Sequence, residues 1–274
     1  MTKRLLLFSG NFTPELTGIG KYNGEMIEWL TSRGIECTVV TTYPYYPQWK
    51  VQHQYKNKSF WYRKETVYSG TKNNNFTIIR CPHYIPKHPS GFKRILSDFT
   101  IFFSEFFVLL ILLFRKKYDY VMEVAPPLPG GLLAVIYKKC RKAIFLYHIQ
   151  DLQIDAAKDL KLVRSGTVLN TLLFLERIIF KNTDIISSIS EGMVKKIEHK
   201  SNKKAILFPN WADSSFYPIQ EETIKADYGI LHTDKVIMYS GAIGEKQGLE
   251  IILDCAKEFS GKTGIKFVIS GSGP

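Results

Sequence analysis

The residues best suited to chemistry are glycines that follow short apolar runs. Gly18 and Gly20 follow the run 4–8, and a second glycine-containing loop, 241–248, follows another such run. A strand, a glycine-containing loop and a helix offer free backbone N–H groups to an anion. Glycine also lets the backbone approach a phosphate closely, because it has no Cβ. Gly-x-Gly alone is also common in ordinary turns, so the first loop by itself leaves both interpretations open.

An aromatic loop follows the second predicted strand, 36–42. It reads Tyr43-Pro44-Tyr45-Tyr46-Pro47-Gln48-Trp49, and its prolines prevent the strand from continuing. In open α/β sheets, ligands bind outside the carboxyl ends of the strands. The aromatic rings therefore either stack on a sugar or base, or pack the loop itself.

Composition indicates a globular protein with an anionic partner. The 274 residues include 37 basic and 25 acidic side chains, a formal net charge of +12. Such a charge favours a nucleotide, a phospholipid surface or nucleic acid as partner, or serves solubility alone. The four cysteines are scattered without metal-binding spacing, and we expect Cys37 and Cys140 to be buried thiols. We find no signal-peptide pattern and expect a cytoplasmic protein.

The segment 99–114 is strongly apolar and aromatic. Lys93 and Arg94 precede it, and 115–117 is a basic run. The segment is shorter than the roughly 20 residues that span a bilayer, and it contains Glu105. Two interpretations stay open, and they are compatible. The helix packs against a sheet inside the protein, or it lies in the headgroup region of an anionic membrane.

Strand and helix patterns alternate along the chain, which predicts a parallel sheet in an α/β fold. The polar run 199–204 is the expected junction between two domains, 1–202 and 203–274. The second domain has room for only two or three β/α units. We therefore expect it to be incomplete, and the chain to be part of a longer protein.

Several motifs together resemble glycosyltransferase family 4, which has the GT-B fold of two Rossmann-like domains. The resemblance spans the chain and is closest to the colanic acid (exopolysaccharide) biosynthesis glycosyltransferases. The motifs are Pro14-Glu15-x-x-Gly18-Ile19-Gly20-x-Tyr22, Tyr43-Pro44-Tyr45-Tyr46-Pro47, His148-Ile149-Gln150-Asp151, Ser187-x-x-Ser190-x-x-Met193, Pro209-Asn210-Trp211-x-Asp213, Tyr239-Ser240-Gly241-x-Ile243-Gly244-Glu245-Lys246-Gln247-Gly248-Leu249 and Ser270-Gly271-Ser272-Gly273-Pro274.

The resemblance implies transfer of a sugar from a nucleoside diphosphate sugar, such as GDP-fucose or a UDP-sugar, to a lipid-linked glycan with retention of configuration. It implies no cofactor and no metal, because backbone N–H groups and a lysine can stabilise the departing diphosphate. The first domain would be the acceptor side, and the second would begin the nucleotide-sugar domain. The implied roles are catalytic for His148 and Asp151, donor or phosphate binding for Gly18, Gly20, Gly241, Lys246 and Gly271, and acceptor binding for Tyr22, Tyr45 and Tyr46.

Two departures from the family pattern bear on activity. Many members have Gly-Arg where this chain has Gly241-Ala242, and the family's Glu-x7-Glu motif lies beyond Pro274. We therefore expect the chain by itself to be a poor transferase. The alternative function is a non-catalytic glycan- or membrane-binding fragment of such an enzyme.

Two further classes rank lower. A dinucleotide-dependent oxidoreductase requires G-x-G-x-x-G and an acidic residue after the second strand, but Asn23 and Thr41-Thr42 stand at those positions. Nucleic-acid binding would need a basic stripe that the sequence lacks, so we expect no nucleic-acid partner.

Overall fold

The structure is a computed structural model that describes residues 2–16, 18–69, 74–155, 166–212, 223–244 and 247–273. It forms two compact units, Met1–Trp211 and Ala212–Pro274. The expected boundary after residue 202 shifts, because the strand at 205–207 pairs within the first unit. That the first unit is the acceptor side and the second begins a nucleotide-sugar domain stays a prediction.

The first unit is built on an eight-stranded, mostly parallel sheet. Its strands are β1 (Arg4–Ser9), β2 (Glu36–Thr42), β3 (Arg63–Ser69), β4 (Asn74–Cys81), β5 (Tyr120–Ala125), β6 (Ile144–Ile149), β7 (Ile185–Ser188) and β8 (Ala205–Leu207). They lie in the order β3-β4-β2-β1-β5-β6-β7-β8, and only β3 is antiparallel to its neighbour. The chain runs from β1 to β2 on one side and reaches β5 on the other. The strand order therefore reverses at β1, the position where doubly wound sheets open a crevice for ligands.

Helices connect these strands and cover both faces of the sheet. They are α1 (Gly18–Ser32), α2 (Gly91–Leu113), α3 (Gly130–Arg141), α4 (Gly166–Asn182) and α5 (Glu191–Ser201), with a short 3-10 helix at His53–Tyr55. The predicted alternation of strands and helices is confirmed, but α2 begins about two turns before the apolar segment 99–114, and α1 begins within the first glycine loop, at Gly18. Ser190 caps α5 as expected, since its Oγ accepts the N–H of Met193 at 3.3 Å.

Apolar side chains of the central strands are divided between two cores. Leu6, Phe8 and Phe145 belong to the core that contacts α2, α3 and α4, whereas Leu5 and Leu7 belong to the core that contacts α1. This alternation follows from the two-residue period of a strand that is covered on both faces. Cys37 is buried as expected, but Cys140 is exposed, because it lies on the solvent side of the last turn of α3.

The second unit contains α6 (Thr223–Asp227), β9 (Lys235–Ala242), α7 (Glu250–Glu258) and β10 (Ile265–Ser272). β9 and β10 pair in parallel as a two-stranded sheet. Ile237 and Met238 are neighbours on β9, so they point to opposite faces, and they are 47% and 61% exposed. Within the described part of this unit, both faces of the sheet therefore carry exposed apolar side chains.

Candidate functional site

Glu15 joins the two loops that the sequence singles out. It is buried, and its Oε1 accepts the backbone N–H groups of Tyr45 and Tyr46 at 2.9 and 3.0 Å. Its Oε2 accepts Nδ2 of Asn11 at 3.0 Å. Burial raises the pKa of this carboxyl, while the two backbone donors lower it. The loop after β1 and the aromatic loop after β2 are thus held together by one carboxylate at the carboxyl edge of the sheet.

The two glycines of the first loop differ in environment, and both lie in the first turn of α1. Gly20 packs against Glu15, since a Cβ there would lie 2.7 Å from the Cβ of Glu15. Gly18 has φ +59°, a conformation that favours glycine, and no other group lies within 4 Å of the position its Cβ would take. Gly20 therefore has a packing reason to be glycine, and Gly18 is the one open to a ligand.

The aromatic loop is largely packed. Tyr45 is buried, and its ring lies edge-on to Trp49 at 5.5 Å and to His83 at 4.7 Å. Tyr46 is 42% exposed. Of these two acceptor-side candidates, Tyr46 has the ring surface available to a sugar, and Tyr45 supports the loop.

A polar cluster that sequence reasoning missed lies beside Tyr45. Asp98 of α2 accepts Nε2 of Gln153 at 3.0 Å, and burial raises the pKa of this carboxyl to about 7. The Nε2 atom of His83 is buried without a hydrogen-bond partner, and burial lowers the pKa of this imidazole to about 3. Asp98, directly before the apolar segment, was the sequence signal that could have indicated this cluster.

His148 lies near the carboxyl end of β6 and is 3% exposed. Its Nδ1 is 3.0 Å from Oγ of Ser187, its register partner on β7. Burial lowers the pKa of the imidazole to about 4, so it is neutral at pH 7. A neutral imidazole can exchange hydrogen bonds with a sugar hydroxyl, but it does not supply a positive charge.

A chain of aromatic rings connects His148 to the first loop. The His148 ring lies 5.4 Å from Phe208, which lies 6.3 Å from Trp211, which lies 5.3 Å from Tyr22. Trp211 also donates its Nε1–H to Glu25 of α1 at 2.6 Å. The structure thus brings His148 and Tyr22 to two ends of one half-buried aromatic cluster within the first unit.

Asp151 follows β6 and lines a small pocket at the carboxyl ends of β5 and β6. The other lining residues are Ala125, Leu128, Tyr147, Ile149, Leu152, Gln153, Ile154 and Glu176. Tyr147 and Ile149 point to the opposite face of the sheet from His148, because successive side chains of a strand alternate. The pocket and the aromatic cluster are therefore separate features of the same edge.

In the second unit, Gly241 and Gly271 are register partners at the carboxyl ends of β9 and β10. A Cβ on Gly271 would overlap the carbonyl oxygen of Gly241, so close backbone approach requires glycine there. Lys246 lies outside the described residues. Among the residues that the structure describes, no group of three or more His, Cys, Asp or Glu side chains is placed to hold a metal ion.

Solved structures with the same architecture are glycosyltransferases of the GT-B fold. Sucrose-phosphate synthase from Thermosynechococcus elongatus matches with a TM-score of 0.65 at 13% identity, over 98% of this chain and 62% of its own. Anabaena HepE in complex with UDP and glucose matches with a TM-score of 0.59 at 9% identity, over 99% of this chain and 62% of its own. These matches define the fold class as GT-B.

A sequence relative defines the family. WcaI of Escherichia coli (strain K12), assigned to colanic acid biosynthesis as a glycosyl transferase, is 37% identical over 283 aligned residues. The alignment covers 98% of this chain and 66% of WcaI, so the chain spans about two thirds of the length of its relative. A search of family models found no match. The chain is therefore a relative of the colanic acid biosynthesis glycosyltransferases, with the GT-B fold.

Proposed function

We propose that this chain is the larger part of a glycosyltransferase of exopolysaccharide biosynthesis that uses a nucleoside diphosphate sugar. The observation that carries the proposal is the 37% identity to WcaI over nearly the whole chain. Support for the donor class comes from a fold relative, since the solved HepE structure holds UDP and glucose. A GDP-sugar such as GDP-fucose and a UDP-sugar are the donors to test.

The proposed reaction is transfer with retention to a lipid-linked glycan at the cytoplasmic face of the membrane. The acceptor hydroxyl attacks the anomeric carbon on the face from which the nucleoside diphosphate departs. The bond from that carbon to the phosphate oxygen breaks as the new glycosidic bond forms, and the acceptor proton passes to the departing diphosphate. No metal or other cofactor enters this scheme, because backbone N–H groups and a lysine can stabilise the diphosphate.

Residues of both units have roles in this proposal. The open Gly18 at the start of α1 would approach the donor phosphates, and Gly20 would hold that turn against Glu15. His148, neutral and fixed by Ser187, would hydrogen-bond the donor sugar, and Asp151 would contact the reacting groups. Tyr22 and Tyr46 would contact the acceptor, with Tyr45 supporting the loop.

The second unit would begin the donor site. Gly241 and Gly271 end neighbouring parallel strands there, so their backbone groups meet at one edge of the sheet. Lys246 would bind the diphosphate in the same unit.

Donor binding and transfer test the proposal in sequence. UDP- and GDP-sugars are screened by their effect on thermal unfolding, and the best donor is then incubated with a membrane lipid extract. With the full-length gene product, we expect one donor to raise the melting temperature and its labelled sugar to enter the lipid fraction. His148→Asn should reduce transfer more than donor binding, whereas His53→Asn, at an exposed histidine, should change neither.

The competing function predicts a different result. A non-catalytic fragment would bind glycan or membrane without transferring sugar, even when the donor is saturating. The tested protein is therefore a longer form of this chain, of the same length as WcaI. If that longer protein transfers no sugar, the proposed function is contradicted. Proton NMR of the product tests retention. An α-linked donor should give an α-linked product, whose anomeric proton shows a small coupling constant.

A further inference from the structure

The outward face of α2 is an exposed apolar stripe. Its members recur every three or four residues on one side of the helix, except for one longer interval, so they lie side by side. They are Phe92, Leu96, Phe103, Phe107, Leu110 and Phe114, with exposed fractions between 39% and 89%. We call these residues the outward stripe. Every one of them is Phe or Leu, whereas the exposed face of a soluble helix is normally polar.

The opposite face of α2 is part of the protein core. Ile101 and Leu109 are fully buried, and the Tyr62 hydroxyl donates to the carbonyl oxygen of Ser104 at 3.0 Å. Gly91–Leu113 is long and apolar enough to cross a bilayer, yet 39% of its most apolar stretch is buried within the protein. A helix packed in this way could span a membrane only by leaving its sheet. Any contact with lipid would therefore place it in the plane of the surface.

Basic side chains stand at both ends of the outward stripe. Lys93 is exposed at the start of α2, and Arg115, Lys116 and Lys117 are exposed directly after its end. The two acidic residues of the helix lie away from the stripe. Glu105 is buried, with its pKa raised well above the usual range, and Asp98 is bound to Gln153. The stripe is thus apolar along its length and positively charged at its ends.

Two exposed aromatic side chains precede the residue that bonds to α2. Phe60 and Trp61 are 78% and 67% exposed in the segment just before Tyr62, whose ring contacts that of Trp61 at 5.7 Å. Tyr62 bonds to Ser104 in the middle of α2, so the backbone that carries these two rings passes close to the helix. Amphipathic aromatic rings such as Trp are enriched where protein meets the headgroup region.

We propose that the outward stripe, Phe60 and Trp61 form a surface that docks on an anionic phospholipid bilayer, with α2 lying parallel to the membrane. Apolar rings would enter the acyl boundary, and the basic ends would contact lipid phosphates. A second copy of the chain is a poorer occupant. Both ends of α2 are basic, so a symmetric pair would oppose like charges whether the helices run parallel or antiparallel. The inference deepens the proposed function by naming the surface that meets a lipid-linked acceptor.

Vesicle sedimentation tests this surface without donor or acceptor, so it can fail independently of the transferase activity. The chain is mixed with phosphatidylcholine vesicles containing about one third phosphatidylglycerol. We expect binding to these vesicles, and a weaker partition to pure phosphatidylcholine. Phe103→Ser combined with Phe107→Ser should lower the partition coefficient roughly tenfold or more, because two aromatic rings no longer insert.

Matched variants separate the two sources of affinity. Phe174→Ser removes a ring that is 59% exposed on α4, and it should leave binding unchanged. Lys116→Gln combined with Lys117→Gln should reduce binding to anionic vesicles about tenfold and to neutral vesicles little. Circular dichroism melting of each variant checks that the fold is retained.

Three results would overturn the proposal. The first is equal vesicle binding by the Phe103/Phe107 and Phe174 variants, and the second is no binding by the unaltered chain. The third is a concentration-dependent dimer in ultracentrifugation that Phe103→Ser and Phe107→Ser abolish in the absence of lipid, because the stripe would then be an interface between copies.

Discussion

At the scale of single residues, Glu15 is the connection on which the candidate site depends. Glu15→Ala would leave the backbone N–H groups of Tyr45 and Tyr46 without this acceptor, and the bond from Tyr45 is buried. An unpaired buried donor costs on the order of 1–3 kcal/mol, so we expect Glu15→Ala to destabilise the protein by about 1–3 kcal/mol. Urea unfolding measures the change.

Two comparisons sharpen this prediction. Glu28→Ala, at an exposed position of α1, should change stability by less than about 0.5 kcal/mol. Glu15→Gln keeps an acceptor oxygen and should lie between the two. Equal stability of Glu15→Ala and Glu28→Ala would show that the carboxylate does not hold the loops.

His148 should make the protein sensitive to mild acid. Burial lowers the pKa of its imidazole to about 4, against an ordinary value near 6.5. The unfolded chain therefore takes up a proton first, and stability present above pH 6.5 is lost as the pH falls towards 4. The loss from this group is at most about 3 kcal/mol.

Urea unfolding at several pH values measures this effect. His148→Asn should show a shallower loss between pH 6.5 and pH 4 than the unaltered chain. His83 shares the same direction of shift, so part of the slope should remain. His53→Asn should follow the unaltered chain, and an unchanged slope in His148→Asn would mean that His148 is solvated.

At the scale of elements, the start of α1 depends on a close approach. A methyl group on Gly20 would lie 2.7 Å from Glu15, so Gly20→Ala should displace that side chain and cost roughly 1–3 kcal/mol. Gly192 of α5 is the matched position, since no group lies within 4 Å of its Cβ site. Gly192→Ala should stabilise by about 0.5–1 kcal/mol through helix propensity. Thermal unfolding distinguishes the two, and equal effects would contradict the packing role of Gly20.

Two buried glutamates, one on β5 and one on α2, should make stability depend on pH. Glu123 of β5 and Glu105 of α2 are fully buried, and neither carboxyl has its oxygens fully paired. Burial raises the pKa of both carboxyls, and Glu105 raises that of Glu123 further. The folded protein therefore holds their protons when the unfolded chain has lost them.

Stability from this pair is complete below about pH 4.5 and decreases as the pH rises. Glu123→Gln has the same shape as Glu123 but does not ionise. The difference in free energy of unfolding between this variant and the unaltered chain should therefore shift in favour of the variant when the pH is raised from 5 to 8. Denaturant unfolding at the two pH values measures the difference. If the difference in stability between the variant and the unaltered chain is the same at pH 5 and pH 8, Glu123 is ionised in the folded protein.

At the scale of the whole molecule, the two units should differ in how strongly their backbone amides are protected from hydrogen exchange. Both hydrophobic cores lie in the first unit, whereas β9 and β10 carry exposed apolar residues. Amide hydrogen exchange should therefore be slowest in β1, β5 and β6, and faster throughout β9 and β10. Peptides resolved by mass spectrometry measure this, and equal protection in β9 and β1 would contradict it. A donor that binds the second unit should slow exchange there.

Most of the fold was predictable, because strand and helix periodicity is a local property. Alternating elements indicated the parallel sheet, and the bounds of β2 follow directly from 36–42. The early start of α1 was not predictable, since Gly18 and Gly20 are weak helix formers by themselves. The assignment of β8 to the first unit was also missed. The polar run before this strand looks like a domain junction, and its sequence does not show which sheet the strand joins.

The sequence by itself determined the family, the alternation of elements and the loops that can approach a phosphate, because motifs and periodicity are carried by neighbouring residues. Only the tertiary structure decided which side chains meet. Ser187 reaches His148 across 39 residues, and Trp211 reaches Glu25 across 186. Such pairs depend on strand order and on the direction of each side chain, which no local pattern specifies. The burial that makes His148 neutral and leaves Tyr46 open arises in the same way, from packing between segments distant in the chain.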